Sequence, residues 1–393
     1  MNEKIENVKV MEKVRILKAV DIINDSVSEY EGVRPFLSTG DLNLSTITNL
    51  EFHTYLEKPS RANLNVSKGD IILARMQGTV KVKVIQNEDE NIIVSTGFLV
   101  LRPKDNTDNK YLFHLLGSST FQNEKDKLCT GATQKAINNS NFEKLEIPLP
   151  PLPTQQKIAA ILDQASAIMA NNQAIVAKYD ALTQSLFWEM FGDIVNNSKN
   201  FPLQLLNEFG YSRLGKMLDG KKITGNNLKP YLRNSNVQWF RFELDDLLQM
   251  DFDEKDKVEF SLKYGDILMC EGGEIGRCAI WKNEIEDCYF QKAIHRIRLN
   301  RKYLLPEYFI YMFKNLANNG GLDKFKSAAT ISHLTGEKLK KMRIPIPPIE
   351  LQNEFANRIQ LIEAQKQQAQ LELAKSEALF NSLLQRAFKG ELD

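Results

Sequence analysis

Glu271–Arg277, EGGEIGR, is the stretch that most invites a chemical reading. Clustered glycines let backbone N–H groups wrap a phosphate, but Gly272, Gly273 and Gly276 follow neither G-x-x-x-x-G-K-[ST] nor G-x-G-x-x-G. The segment therefore predicts a turn between strands. Cys270 and Cys278 flank it, with Cys288 and His295 further on. Thiolates and an imidazole can hold zinc, yet no C-x-x-C spacing brings them together. No H-E-x-x-H occurs, and the four histidines have no evident catalytic partners. Leu149–Leu152, LPPL, lacks both the polar lead and the aromatic of the Asn/Asp-Pro-Pro-aromatic motif of amino-methyltransferases. No catalytic or metal-ligating residue is assigned, and the chain reads as a binder or an organiser.

The elements that would position a binding surface are written twice. Leu145–Asp163 reads LEIPLPPLPTQQKIAAILD and Met342–Gln360 reads MRIPIPPIELQNEFANRIQ. Aligning Pro148 with Pro345 sets an offset of 197, under which Thr133 meets Thr330, Phe142 meets Leu339, Gln155 meets Gln352 and Phe191 meets Phe388. Upstream, SKGDIILAR (67–75) answers KYGDILMCE (263–271), and RPFLSTGDLN (34–43) answers KPYLRNSNVQ (229–238). A period of half the chain is too long for a solenoid and implies a pseudo-twofold molecule, a dimer fused into one chain.

Each half has a head of short β-branched runs, such as TVKVKVI (79–85), NIIVSTGFLVLR (91–102) and YFQKAIHRIRL (289–299). These predict strands, with helices at NKYLFHLLGS (109–118) and PEYFIYMFKNL (306–316). Each half closes with one helix of about 35 residues after a proline-held junction, Thr154 being the candidate N-cap of the first. The fold class is thus α+β. It comprises heads over 1–146 and 197–343 and spacer helices over 147–196 and 344–393.

The spacer helices share a heptad register. The first places Ile158, Leu162, Ala165, Met169, Asn172, Val176, Tyr179, Thr183, Leu186 and Met190 on one seam. The second places Phe355, Ile359, Ile362, Lys366, Ala369, Leu373, Ser376, Phe380, Leu383 and Ala387 there. A sustained seam of this kind predicts a coiled coil, antiparallel under a dyad and roughly 50 Å long. Asn172, Lys366 and Ser376 interrupt it and either fix its register or face water at frayed points.

The totals fit a soluble chain of two or three domains: 393 residues, 42% hydrophobic and 26% charged. The polar start MNEKIENVKVMEKVR predicts no signal peptide, and no apolar run approaches the roughly 18 residues of a membrane span. Four scattered cysteines predict a reducing, cytoplasmic setting. Net charge is only +1, but residues 243–287 hold 14 acidic against 5 basic residues and residues 292–343 hold 12 basic against 3 acidic. Such blocks form either solvated faces or, for the second, a surface for a polyanion.

Taken together, the half-chain repeats, IPLPPLPTQQKIAAILD and IPIPPIELQNEFANRI, the GATQKAI segment (131–137) and the closing helices resemble the specificity (S) subunit of type I restriction–modification systems. The segment LGKMLDGKKITGNNLKPYLRNSNVQ (214–238) looks like the opening of a target recognition domain of that family. The resemblance covers essentially the whole chain. It implies two target recognition domains, each reading half of a split, asymmetric double-stranded DNA sequence, with the helices as a ruler. It further implies a subunit that is not itself catalytic and binds no cofactor directly. Two adenine methyltransferase (M) subunits dock on it and use S-adenosylmethionine, and endonuclease/translocase (R) subunits can join.

Groove readout needs Arg, Lys, Gln, Asn and Thr on loops. In the first head the candidates are Arg75, Gln77, Thr79, Lys81 and Lys83, with Thr133, Gln134 and Lys135 before the junction. In the second they are Lys216, Lys221, Lys222, Arg233 and Arg277, with Thr330, Ser332 and His333 before the junction. The cations are assigned to phosphates or guanine edges, and Gln, Thr and Ser to base edges or backbone. Two competing classes are a scaffold whose heads and coiled coil bind protein instead of DNA, and a cryptic nuclease or methyltransferase, against which the missing motifs argue.

Overall fold

A computed structural model describes residues 12–89, 91–217, 225–325 and 333–392. The chain divides into two compact units, Met1–Ala174 with Gln370–Asp393, and Ile175–Ala369.

In the first unit an antiparallel sheet has the order Val20–Ile23, Phe98–Pro103, Ile71–Ala74, Val82–Val84. A second sheet has the order Glu51–His53, Arg34–Leu37, Ile93–Ser95, Ala62–Asn65, and pairs Ile93–Ser95 parallel to Arg34–Leu37. Helices α1 (Asn109–Gly117), α2 (Ser119–Lys127) and α3 (Asn139–Phe142) follow. Ile71, Leu73, Leu99 and Leu101 pack with Tyr111, Leu112 and Leu116 of α1, whereas Ile72, Ala74, Phe98 and Val100 pack with Leu37 and Val94 of the second sheet. The first sheet is therefore covered on both faces, which is why its strands read as continuous apolar runs rather than alternating ones.

The run at 91–102 is two strands rather than one. Ile93–Ser95 lies in the second sheet and Phe98–Pro103 in the first, with the chain turning at Thr96 and Gly97. A β-carbon on Gly97 would sit 2.8 Å from Thr39 Cγ2, so a larger residue at the bend would have to displace the Thr39 side chain. Of TVKVKVI, only Val82–Val84 is strand.

The long helices are α4 (Leu152–Phe191) and α8 (Ile349–Lys389). α4 starts at Leu152, so Thr154 lies inside its first turn and is not the cap. The carbonyl of Pro151 accepts from the amides of Thr154 and Gln155, at 2.9 and 3.1 Å. Pro153 is tolerated there because first-turn amides have no helical partner anyway.

The second unit repeats this plan. Gly210–Leu214, Ile294–Leu299, Ile267–Cys270 and Cys278–Ile280 form its antiparallel sheet, and Leu248–Asp251, Leu228–Leu232 and Tyr289–Phe290 the other. YFQKAIHRIRL is again split between the two sheets. Helix α5 (Glu254–Glu259) belongs to this head, and a single helix α6 (Pro306–Asn318) stands where the first head has α1 and α2. Helix α7 (Gly336–Lys340) precedes the junction.

α4 and α8 pack together. In the first unit Ile158 and Leu162 share a core with Ala387, while Asn172 bonds Ser376 further along, so the helices run antiparallel. In the second unit Phe187 and Phe191 stack edge-on against Phe355, and Lys366 pairs with Asp180 at 2.6 Å. Residues of the heptad seam are buried or half-buried throughout both helices, and most residues between them are exposed.

The repeated glutamine is the lock of each junction. Gln155 is fully buried, donates to the carbonyls of Asn106 (3.0 Å) and Pro150 (2.7 Å), and accepts from the Asp108 amide (2.9 Å). Gln352 is equally buried, donates to Tyr303 (3.0 Å) and Pro347 (2.8 Å), and accepts from Leu305 (2.9 Å). Tyr111 and Tyr308 give their hydroxyl protons to the carbonyls of Pro148 and Pro345. Prolines supply no amide proton, so a proline-rich run is short of main-chain donors for carbonyls such as those of Pro148 and Pro150, and buried side chains provide them.

Candidate nucleic-acid interface

Each head launches a loop from the same strand end. The motif Gly-Asp before the strand fixes its start. Gly69 and Gly265 take left-handed conformations (φ 87° and 88°), and the buried carboxylates of Asp70 and Asp266 follow them. Asp70 holds Arg102 through both oxygens at 2.8 and 2.9 Å, and Asp266 holds Arg298 at 2.5 Å through both. The carboxylate raises each guanidinium above the ordinary arginine value. Forked charge-assisted pairs of this type fix geometry as well as charge.

In the first head the strand Ile71–Ala74 ends in a loop over residues 75–81 that meets the segment before α3. Met76 bridges Ala136, and the Gln77 amide donates to the Lys135 carbonyl at 2.9 Å. Gln77, Thr133, Gln134 and Lys135 are brought to one exposed ridge. In the second head Gly272 bridges His333, which is exposed, at the equivalent place. Asn234 Nδ2 donates to the Gly272 carbonyl (3.0 Å), and Trp239 Nε1 donates to the Glu274 carboxylate.

The other cations are engaged within their heads. Arg75 donates to the carbonyls of Phe98 and Ile137 at 3.0 and 3.2 Å, and burial pushes its guanidinium down. Lys81 reaches the Thr39 carbonyl (2.6 Å), Lys83 pairs with the buried Asp89 (3.0 Å), and Thr79 is half-buried. Lys216 meets Asp256 and the Asp251 carbonyl and lies 5.0 Å from the Phe252 ring centre. Arg233 holds Asp246 at 2.5 Å, and Arg277 donates to the Asn234 carbonyl at 2.9 Å. Lys221, Lys222, Thr330 and Ser332 lie outside the described residues.

The acidic and basic blocks are neighbours in space. Arg296 donates to the carbonyls of Glu259 and Ser261, and Arg298 pairs with Asp266. Segregation along the sequence is thus partly cancelled by the pairing of strands 267–270 and 294–299.

No group of three or more metal-ligating side chains is assembled among the described residues. Burial raises the thiols of Cys270, Cys278 and Cys288, the last to about 12. All three are buried, packed side chains, an environment that disfavours a reactive thiolate.

The family model described as "Type I restriction modification DNA specificity domain" matches the chain twice, over residues 2–178 and 204–373. The chain belongs to this family. Members are the DNA-recognition subunits of type I systems and are not catalytic. The EcoKI specificity subunit of Escherichia coli (strain K12) is 26% identical over 352 residues, 83% of this chain and 75% of that protein. The StySPI specificity subunit of Salmonella potsdam is 22% identical over 83% of this chain and 75% of its own length.

Two solved structures share the fold. One comes from work on complex assembly and conformational transition of the type I R-M system, with a TM-score of 0.61 at 18% identity, covering 98% of this chain and 99% of that one. The other is the S subunit from M. genitalium, at 0.59 and 16%, covering 98% of both chains. Among the described residues of this specificity-family chain, no helix is long and apolar enough to cross a membrane.

Proposed function

We propose that each head reads one half of a split, asymmetric DNA sequence, and that the chain directs adenine methylation to it through two methyltransferase subunits. The supporting observation is the twice-built ridge, where a loop leaving strand Ile71–Ala74 or Ile267–Cys270 bridges the segment before α3 or α7. In the first head that ridge carries four exposed polar or basic side chains, Gln77, Thr133, Gln134 and Lys135. Such groups suit groove edges and phosphates. The chain supplies no cofactor chemistry of its own, and S-adenosylmethionine is held by the methyltransferase partner. Endonuclease/translocase subunits can join the same assembly, which works in the cytoplasm.

The test is methylation of a randomised duplex library. The purified chain alone should neither methylate nor cut, and adding the methyltransferase subunit should produce adenine methylation at one bipartite sequence. Methylation by the chain alone would sink the proposal. DNA binding indifferent to salt would favour the protein scaffold instead, since phosphate contacts make affinity fall steeply with salt.

A further inference from the structure

Lys125, near the end of α2, is fully buried. Its ammonium donates to two main-chain carbonyls of the facing loop, Met76 and Thr79, both at 3.1 Å. The next residue, Asp126, lies 3.5 Å from that ammonium and accepts from the Gly78 amide at 2.9 Å. Gln77 Nε2 reaches the Asp126 carbonyl at 3.4 Å. Two consecutive helix residues therefore clasp all four residues of the loop Met76–Thr79. The clasp includes the left-handed turn at Gly78 (φ 70°).

Burying a lysine is unfavourable unless the charge is fully engaged. Burial pushes Lys125 down from the ordinary lysine value, and the neighbouring Asp126 opposes the shift. The second head has an apolar residue where the first has Lys125. Leu322 and Asp323 occupy the equivalent positions, and Leu322 is buried beneath the glycine loop. A β-carbon on Gly276 would come within 2.9 Å of its Cδ1.

We infer that Lys125 and Asp126 are positioning residues for DNA readout in the first head: they set the shape of Met76–Thr79 and so aim Gln77. This rests on the DNA-reading function proposed above. Lys125 itself cannot reach a phosphate, because its head group is enclosed by the loop it holds. A leucine could not replace it, because the loop's inward carbonyls would lose their donor.

The experiment selects binding sites from a duplex library randomised in both half-sites, using the full chain and the variants K125M and D126A. Far-UV circular dichroism and thermal melting establish that each variant folds, and if K125M does not, D126A alone decides. Base preference should flatten by about tenfold at positions of one half-site and stay unchanged in the other. The slope of log affinity against log salt should stay the same, whereas loss of a direct phosphate contact would reduce it by about one. Unchanged preference in both halves, equal weakening of both, or a reduced salt slope would each overturn the positioning role. If the unmodified chain selects no bipartite site, the DNA-reading function is what fails, and this inference falls with it.

Discussion

Asn172 on α4 donates its side-chain amide to the hydroxyl of Ser376 on α8 at 3.2 Å, and more weakly to the Glu372 carbonyl at 3.4 Å. Ser376 passes its own proton to the Leu373 carbonyl (2.7 Å), so its oxygen is left to accept. A polar pair inside an apolar seam sets which turns face each other, at some cost in stability. Substituting N172L should therefore raise the thermal midpoint, by about 2 °C for a gain of about 1 kcal/mol. A lower midpoint would show that the bond is a net source of stability instead.

The buried glutamines should be among the most sensitive positions in the chain. Q155L leaves the Asp108 amide and the carbonyls of Asn106 and Pro150 without their partner. The expected loss is about 3 kcal/mol, read from urea unfolding, and Q352L should cost about as much. A loss below about 1 kcal/mol in either would mean that water replaces the side chain.

Part of the acid sensitivity should come from His295, alongside the similarly buried His114. The Nε2 of His295 lies 2.9 Å from the Leu334 carbonyl, which can only accept, so the neutral ring carries its proton there. Burial lowers its pKa, with the Leu334 bond and Glu271 acting against that shift. The unfolded chain therefore binds a proton more readily than the folded one, and stability falls as pH drops through and below the ordinary imidazole value of about 6.5. H295Q keeps a donor for Leu334 but cannot titrate. Its stability loss between pH 7.5 and 5.5, measured by urea denaturation, should be smaller than that of the parent chain. Equal losses would place the acid sensitivity elsewhere.

Exchanging residues 200–340 for the matching segment of a relative should alter one half of the methylated target and leave the other half intact. Sequencing of methylated sites, with the methyltransferase subunit present, reads this directly. Joint change of both halves would contradict separate readers.

How far the sequence spoke depended on the distance over which each signal acts. The heptad register at Ile158–Met190 and Phe355–Ala387 was legible because a helix enforces its period locally. The alternative strand arrangement was not, because NIIVSTGFLVLR carries no mark of a chain leaving one sheet for another beyond Gly97. Gln155 was visible as a repeat, but its partners at Asn106 and Asp108 lie 49 and 47 residues upstream. Among the candidate contacts, residues 77 and 133–135 are far apart in sequence and meet on one ridge. Arg75, Lys81 and Lys83 show the limit. A cation on or beside a strand reads alike in sequence whether it faces solvent or holds a carbonyl or a buried carboxylate. Lys125, in STFQNEKDK, looks like any charged helix residue until the loop above it is seen.

Every bond made by the side chains of Gln155, Gln352, Tyr111 and Tyr308 at the two junctions ends on a main-chain atom. The glutamine half of the lock is therefore indifferent to which side chains a head presents there, provided the backbone returns to the same path, while the head itself must bring the tyrosine. Mutational drift in a head away from these helix-facing positions is insulated from the joint that carries it, and recombination can deliver a foreign head to a fastening that already fits. New DNA preferences can in this way be acquired by exchange of a whole cassette that keeps the side chains facing the helices, such as His114 on Asp163 and Tyr311 on Glu363.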